Sequence, residues 1–359
     1  MTADTIGGVW TYTMALCEAL REYDAEVHLL TMGRRLNESQ HGQLKALNNV
    51  FLYESNFKLE WMEDPWEDVA ASNQWISSIY EKVVPDIMHF NNYVEISKEW
   101  NCNVITVFHS CVHTWFRSVK RNNAPENWER YRKLLTGALT SSDVVVFPSF
   151  SIRSLAEKVH GHIPQSQVIY NGASLPVLGN VEKQPFIMSA GRLWDEAKNM
   201  AFLCDVAGSL SWPLIIAGSN TSPDGKSFEA DNVQCLGELP HDEVLSNMQQ
   251  AGIFTSAAVY EPFGLAILEA AVSGCALVLN DIPIFRELWG DAAVYFDPDD
   301  KEAATTVLQL LIDDDALRLS LSEKARQKAV GFTASAMAEN YMALYGKLMA
   351  GQQQLTLNT

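Results

Sequence analysis

The sequence predicts an α/β protein made of two doubly wound, Rossmann-like parallel-sheet domains facing across a cleft. Three observations carry this expectation. Short apolar runs of four to six residues recur along the chain with amphipathic stretches between them, and such runs suit parallel strands covered by helices on both faces. The alternation lapses once, over residues 171–184, and then restarts. A chain of 359 residues also exceeds one ordinary core and suits two.

Taken in order, Met1–Asp4, the turn at Gly7-Gly8, a helical pattern over Thr11–Arg21 and the apolar segment Glu26–Met32 form a βαβ unit with a short first strand. Strand-like runs follow at Val50–Tyr53, Ile87–Phe90, Val104–His109, Val144–Pro148 and Val168–Tyr170, with helical stretches such as Trp66–Lys82 and Trp128–Leu139 between them. Asn171–Gln184 contains Gly172, Pro176 and Gly179, has no periodicity, and reads as the interdomain linker. The second series runs Phe186–Ser189, a helix near Met200–Leu210, Leu214–Ala217, Val233–Leu236, a helix from Asp242, Ile253–Ser256, a helix from Phe263, Ala276–Leu279 and Ala293–Phe296. One long helix is expected over Asp300–Val330 and another over Ser335–Met349. The domains are therefore expected at 1–172 and 173–331, with 332–359 a C-terminal helix returning to the first.

Composition removes several function classes. A formal net charge of −18 argues against nucleic acid as a partner. The six cysteines (Cys17, Cys102, Cys111, Cys204, Cys235 and Cys275) stand far apart with no metal-ligand spacing, which suits reduced thiols in a cytoplasmic protein. No apolar run approaches the roughly 20 residues of a membrane span, and the start lacks a signal-peptide pattern.

Ligands of open α/β sheets bind beyond the carboxyl ends of the strands, and five places just after expected strands carry chemistry. At Gly7-Gly8 the backbone is bare and a helix begins, which favours an anion, although a tight turn with no ligand explains the pair as well. His109 ends the run Val104–Phe108 at a place where an imidazole can bond a sugar hydroxyl. His89 and His113 suit a structural role better. Gly191-Arg192 and Lys198 put two cations in one loop, a combination suited to a diphosphate; surface pairing with Asp195 and Glu196 is the simpler alternative. Gly218 ends Leu214–Ala217 where a nucleotide base can lie.

The fifth place is Tyr260-Glu261-Pro262-Phe263-Gly264-Leu265-Ala266-Ile267-Leu268-Glu269. Pro262 suits a helix start, and Gly264 and Leu265 offer amides at the positive end of a helix. About six helical residues separate the start from Glu269, or ~9 Å at 1.5 Å per residue. That is about the reach from a transferred sugar past a diphosphate to a ribose. Carboxylates suit both ends because each oxygen accepts hydroxyl donors.

With Glu261 and Glu269 flanking P-F-G-L, the chain resembles family 4 of the retaining GT-B glycosyltransferases. The resemblance also rests on the Gly7-Gly8 loop, F-H-S at 108–110, P-S-F-S at 148–151, I-Y-N-G at 169–172, A-G-R at 190–192 and Lys198-Asn199. G-G-V-W-T-Y at 7–12 is similar to one bacterial subgroup. The resemblance implies transfer of a hexose from a nucleoside-diphosphate sugar, UDP- or GDP-linked, to an acceptor hydroxyl with retained configuration. It implies no cofactor and no tightly bound metal, the nucleotide sugar being a substrate. By the same carry-over, Gly8 closes on the phosphates beside Gly7, His109 contacts the sugar, and Arg192 and Lys198 bind the diphosphate beside Gly191. Glu261 and the amides of Phe263, Gly264 and Leu265 hold sugar and phosphate, and Glu269 binds ribose. Closure is expected about Asn171–Pro176 and Gly331. Two departures stand out. Lys198 follows Arg192 by six positions where many members have five, with Ala197 in place of a glutamate, and the first strand is shorter than the family pattern, as in a chain truncated at its start.

Other classes read less well. A glycoside hydrolase needs two carboxylates astride one bond. A GT-B phosphorylase needs a pyridoxal lysine setting, an epimerase lacks this carboxylate block, and a non-catalytic nucleotide-sugar-binding module would not transfer sugar.

Residues Trp115–Lys133 carry Arg117, Lys120, Arg121, Arg130, Arg132 and Lys133 with interleaved aromatics in an otherwise acidic chain. A solvated, charge-laced surface is one reading. The other is a steering surface for a sugar, small-molecule or lipid-linked acceptor, with peripheral contact at the inner membrane face.

Overall fold

The computed structural model describes residues 1–174, 181–222, 225 and 227–357, with side chains to residue 351. The chain divides into two units, Met1–Ser174 with Ala334–Thr359, and Leu175–Thr333.

Unit 1 opens with β1 (Thr2–Asp4), α1 (Gly8–Ala19), β2 (Val27–Met32), α2 (Glu38–Lys45), β3 (Val50–Glu54) and α3 (Trp66–Val83). It continues with β4 (Ile87–Phe90), β5 (Asn103–Val107), α4 (Val112–Val119), α5 (Glu129–Ser141), β6 (Val144–Phe147), α6 (Phe150–His160) and β7 (Ser166–Val168). The ladders run β3-β2-β1 and β4-β5-β6-β7, all parallel. β1 lies beside β4, and Asn91 clasps the two: its Nδ2 donates to Thr2 O at 2.8 Å, and its N–H to Thr2 Oγ1 at 3.0 Å. Ile76 and Ile79 of α3 pack on Leu30, Phe90 and Val104 of the sheet.

Unit 2 contains β8 (Gln184–Ala190), α7 (Met200–Ala207), β9 (Leu214–Ala217), β10 (Gln234–Gly237), α8 (His241–Gln250), β11 (Ala251–Ser256) and α9 (Leu265–Val272). Then come β12 (Ala276–Asn280), α10 (Pro283–Trp289), β13 (Ala293–Phe296), α11 (Lys301–Asp313) and α12 (Asp315–Ala329). Its six strands are parallel in the order β10-β9-β8-β11-β12-β13, the doubly wound arrangement. Ile187, Ile216, Ile253 and Val278, all fully buried, form a core with Phe202 and Leu203 of α7 and Leu308 and Leu311 of α11. The last helix, α13 (Ala334–Leu357), belongs to unit 1 and packs on α1, where Tyr12 Oη donates to Tyr341 Oη at 2.7 Å.

Several boundaries differ from the sequence expectation. α1 begins at Gly8 and not Thr11, because Gly7 takes a left-handed conformation (φ 78°) that turns the chain at once from β1 into the helix. β7 covers Ser166–Val168 and not Val168–Tyr170, its register being set by pairing with Val145–Phe147. α9 begins at Leu265 and not Phe263: Gly264, at φ 93° and ψ 58°, is its N-cap, so Pro262 precedes the helix instead of starting it. The single helix expected over Asp300–Val330 is two. Asp314 leaves helical geometry (φ −110°, ψ 92°) and its carboxylate accepts from Leu317 N at 2.9 Å, capping α12 in the way Ser, Asp and Asn favour. The last helix extends past Met349 to Leu357. Pro176 and Gly179 of the expected linker lie outside the described residues.

Candidate functional site

Unit 2 gathers most of the candidate residues at the carboxyl ends of its strands. β8 runs directly into Gly191-Arg192. Arg192 Nη2 donates to Asp195 Oδ2 at 2.6 Å, and its guanidinium lies 5.1 Å from the Trp194 ring centre. Asp195 Oδ1 also accepts from Ala197 N at 3.0 Å, which tightens the turn that carries Lys198. The local ion pair anticipated as the alternative for Arg192 is therefore present.

Lys198 reaches elsewhere. Val259 N donates to Ala197 O at 2.9 Å and ties this loop to the loop after β11. Lys198 Nζ thereby meets Glu261 Oε2 at 2.5 Å, with the two side chains 23% and 15% exposed. Two candidates far apart in sequence form one half-buried charge pair. A Cβ on Gly264 would lie 3.4 Å from Glu261 Cγ and 3.2 Å from Ile267 Cδ1, and φ 93° favours glycine there in any case. Glu261 therefore sits against the N-terminus of α9, whose first-turn amides at Leu265 and Ala266 precede any intrahelical acceptor. A positive helix end, a lysine and a carboxylate share one spot.

Gly218 has a different reason to be glycine. A Cβ there would stand 1.9 Å from Gly191 O, so the ends of β8 and β9 approach closely only because the side chain is absent. Glu269, on α9, is 9% exposed. Its Oε1 is bonded at 2.8 Å by Nε2 of His241, the first residue of α8. The hydrogen bond to Glu269 raises the His241 pKa. His241 was not among the residues the sequence marked; its local signal is Pro240, the N-cap residue just before α8.

In unit 1, Gly7, the N-cap of α1, and Gly8, its first residue, are exposed, and Trp10 N donates to Gly7 O at 3.2 Å. His109 is half-buried just beyond β5, and its Nε2 lies 2.8 Å from Asn91 Oδ1. Its ring packs edge-on against Tyr12 at 4.7 Å, and desolvation pushes its pKa down to about 3. His89 is buried with Nδ1 2.7 Å from Tyr345 Oη, and burial lowers it to about 3 as well. His113 stacks on Tyr131. Glu60, also missed, is 4% exposed and is pushed up to about 7 by burial. Tyr93 N donates to its Oε1 at 3.4 Å. Its loop after β3 shows no periodicity that marks it.

The basic stretch spans α4, a short helical turn at Glu126–Trp128 and the start of α5. Lys120 Nζ lies 5.8 Å from the Trp115 ring, Arg130 stacks 4.2 Å from the Trp66 ring, and Arg132 pairs with Glu129 at 2.8 Å. Several of these cations thus have aromatic or acidic neighbours of their own. Among the described residues no group of three or more His, Cys, Asp or Glu side chains could hold a metal, and no helix is long and apolar enough to cross a membrane.

Two parallel-sheet units, the second with cations and carboxylates near its strand ends, define a class, and the comparisons with known proteins agree with it. Residues 6–175 match the model for Glycosyltransferase Family 4, and residues 173–328 match Glycosyl transferases group 1. The chain thus belongs to the GT-B glycosyltransferases of group 1 and family 4.

Over 179 residues it is 25% identical to the N,N'-diacetylbacillosaminyl-diphospho-undecaprenol alpha-1,3-N-acetylgalactosaminyltransferase of Campylobacter jejuni, covering 47% of this chain and 46% of that one. It is 32% identical over 120 residues to the D-inositol 3-phosphate glycosyltransferase of Corynebacterium diphtheriae, covering 33% and 28%. The chain spans about half the length of the curated relatives it matches, or less. Its fold is similar to sucrose-phosphate synthase of Thermosynechococcus elongatus (TM-score 0.80, 17% identity, 98% and 96% of the two chains). It is also similar to Anabaena HepE solved with UDP and glucose (TM-score 0.69, 14% identity, 97% and 99%).

Proposed function

We propose that this protein transfers a hexose from a nucleoside-diphosphate sugar to an acceptor hydroxyl with retention of anomeric configuration and without a tightly bound metal. The observation that carries the reading is the Lys198–Glu261 pair against the N-terminus of α9. Charge develops on a leaving diphosphate as the glycosidic bond breaks. Lys198, Arg192 and the amides from Gly264 onward are fixed donors for that charge, so they stabilise the transition state more than the ground state. Glu261 holds sugar hydroxyls, Glu269 the ribose, and His109 contacts the transferred sugar. The acceptor attacks from the face that the phosphate leaves, and a phosphate oxygen takes its proton, so no protein base is required.

The C. jejuni relative is named for a diphospho-undecaprenol-linked acceptor. With the basic and aromatic stretch at Trp115–Lys133, this favours a lipid-linked or anionic acceptor and peripheral membrane contact. The test is a panel of UDP-, GDP- and ADP-sugars, read first by thermal stabilisation and then by product NMR with and without EDTA. Stabilisation by one donor class and an anomer of unchanged configuration, insensitive to EDTA, are expected. An inverted product, or neither stabilisation nor transfer with any donor, refutes the reading.

A further inference from the structure

We propose that Asn91 is a positioning residue that holds His109 in the Nε2–H tautomer, leaving the Nδ1 lone pair to accept a hydrogen bond from a sugar hydroxyl. The inference rests on the reading above for the sugar, but its tautomer part stands on hydrogen bonds alone.

The backbone carbonyl of Thr2 can only accept. The Asn91 side-chain atom 2.8 Å from it must therefore be the amide nitrogen. That orients Oδ1 toward His109, and Oδ1 can only accept. The His109 Nε2 at 2.8 Å must then carry the proton. A second bond, from Asn91 N to Thr2 Oγ1 at 3.0 Å, keeps the asparagine from rotating away. Thr2 Oγ1 in turn donates to Asn92 Oδ1 at 2.6 Å. Asn91 and Thr2 are 5% and 2% exposed, so water does not compete for these groups. The clasp joining β1 to β4 thus ends on an imidazole.

The other ring nitrogen is free to work. Among the described residues His109 Nδ1 has no hydrogen-bond partner, and it is not among the sealed polar atoms that lack one. Tyr12 packs on the ring, but its hydroxyl is committed to Tyr341 and lies 3.4 Å from His89 Nε2; His89, held neutral by burial, interacts with both His109 and the Asn91 side chain. No carboxylate bonds this ring, and desolvation keeps it neutral. A neutral imidazole with its proton on Nε2 offers an acceptor at Nδ1, which matches a hydroxyl donor and disfavours a carboxylate. Asn91 sits 18 positions before His109 and bonds the ring at Nε2, not at Nδ1.

The experiment labels the histidine rings of the full chain with ¹⁵N and records long-range proton–nitrogen correlations, His109 being assigned by its absence in His109→Asn. The wild-type ring is expected to show a protonated, pyrrole-type Nε2 and an unprotonated Nδ1. In Asn91→Leu the two nitrogen resonances should move toward each other as tautomers mix. Donor kcat/KM should fall about tenfold, the worth of one neutral hydrogen bond. Asn91→Asp still accepts from Nε2–H but gives up the donor to Thr2 O, so it should keep the tautomer, raise the pH at which His109 titrates, and recover more activity than Asn91→Leu. An Nδ1–H or averaged ring in the wild type overturns the proposal. So does an unchanged ring in Asn91→Leu, even with lowered activity, because that pattern belongs to a merely structural residue. If Asn91→Leu does not fold, the wild-type and Asn91→Asp spectra decide. If the wild type turns over no donor, the transferase reading fails while the tautomer remains decided by the spectra.

Discussion

Glu261→Gln should tighten the binding of free nucleoside diphosphate while lowering sugar transfer. The sign comes from the structure. Lys198 Nζ is bonded to Glu261 at 2.5 Å, so a diphosphate recruiting Lys198 must displace that carboxylate and then sit beside it. At an effective dielectric constant of about 20 the gross attraction of such a pair is about 6–7 kcal/mol, and desolvation cancels most of it. Exposed ion pairs net about 0.2–1 kcal/mol, and hydrogen bonds to charged groups about 1.5–3 kcal/mol. At 23% and 15% exposure the pair falls between them, at about 1.5 kcal/mol, or roughly tenfold in Kd. Calorimetric titration with UDP, GDP and ADP identifies the nucleotide bound by the wild type and then measures it in each variant. Glu261→Gln should bind it several-fold more tightly, and Lys198→Ala more weakly, with turnover about 10²-fold lower in the latter. Equal weakening of the nucleotide in both variants would mean that Glu261 holds the nucleotide itself, and the division of labour would be wrong.

Three further outcomes follow from particular contacts. Because Glu269 raises the His241 pKa, their ion pair should be fully formed below about pH 6.5 and lost as pH rises through the raised value. Glu269→Gln should therefore move the His241 NMR titration downward, and an unmoved titration refutes the pair. Gly218→Ala drives a Cβ to within 1.9 Å of Gly191 O, and an expected cost of about 2–4 kcal/mol should appear as a lowered melting temperature. A normal melting temperature would show that the strand ends yield. Changing Lys120, Arg121, Arg130 and Arg132 together to Gln should weaken binding to anionic vesicles several-fold at low salt and less at high salt. Indifference at both salt levels identifies an ordinary solvated surface.

Much of the candidate site was legible because its signals are local. The Tyr260–Glu269 block keeps glycine and amides at a helix start by chain neighbours alone, and Arg192 and Lys198 share one short loop. Partnership was not legible. Lys198 and Glu261 are 63 positions apart, His241 and Glu269 are 28 apart, and nothing in either segment's composition selects the other. Asn91 is one polar residue among several after β4, and its importance lies in which carbonyl its amide faces. Glu60 became notable only through burial, a property of its surroundings.

By itself, the amino-acid sequence determined the alternation of strands and helices, the two-unit organisation and the residue types offered at the strand ends. Apolar periodicity and glycine positions act over a few residues, within the reach of the chain's own stereochemistry. Only the tertiary structure decided which charges neutralise one another, which histidine tautomer is held, and where Asp314 divides one expected helix into two. These depend on distances between groups remote in sequence, or on a capping bond that competes with helix continuation, and an energy difference of a few kcal/mol settles each.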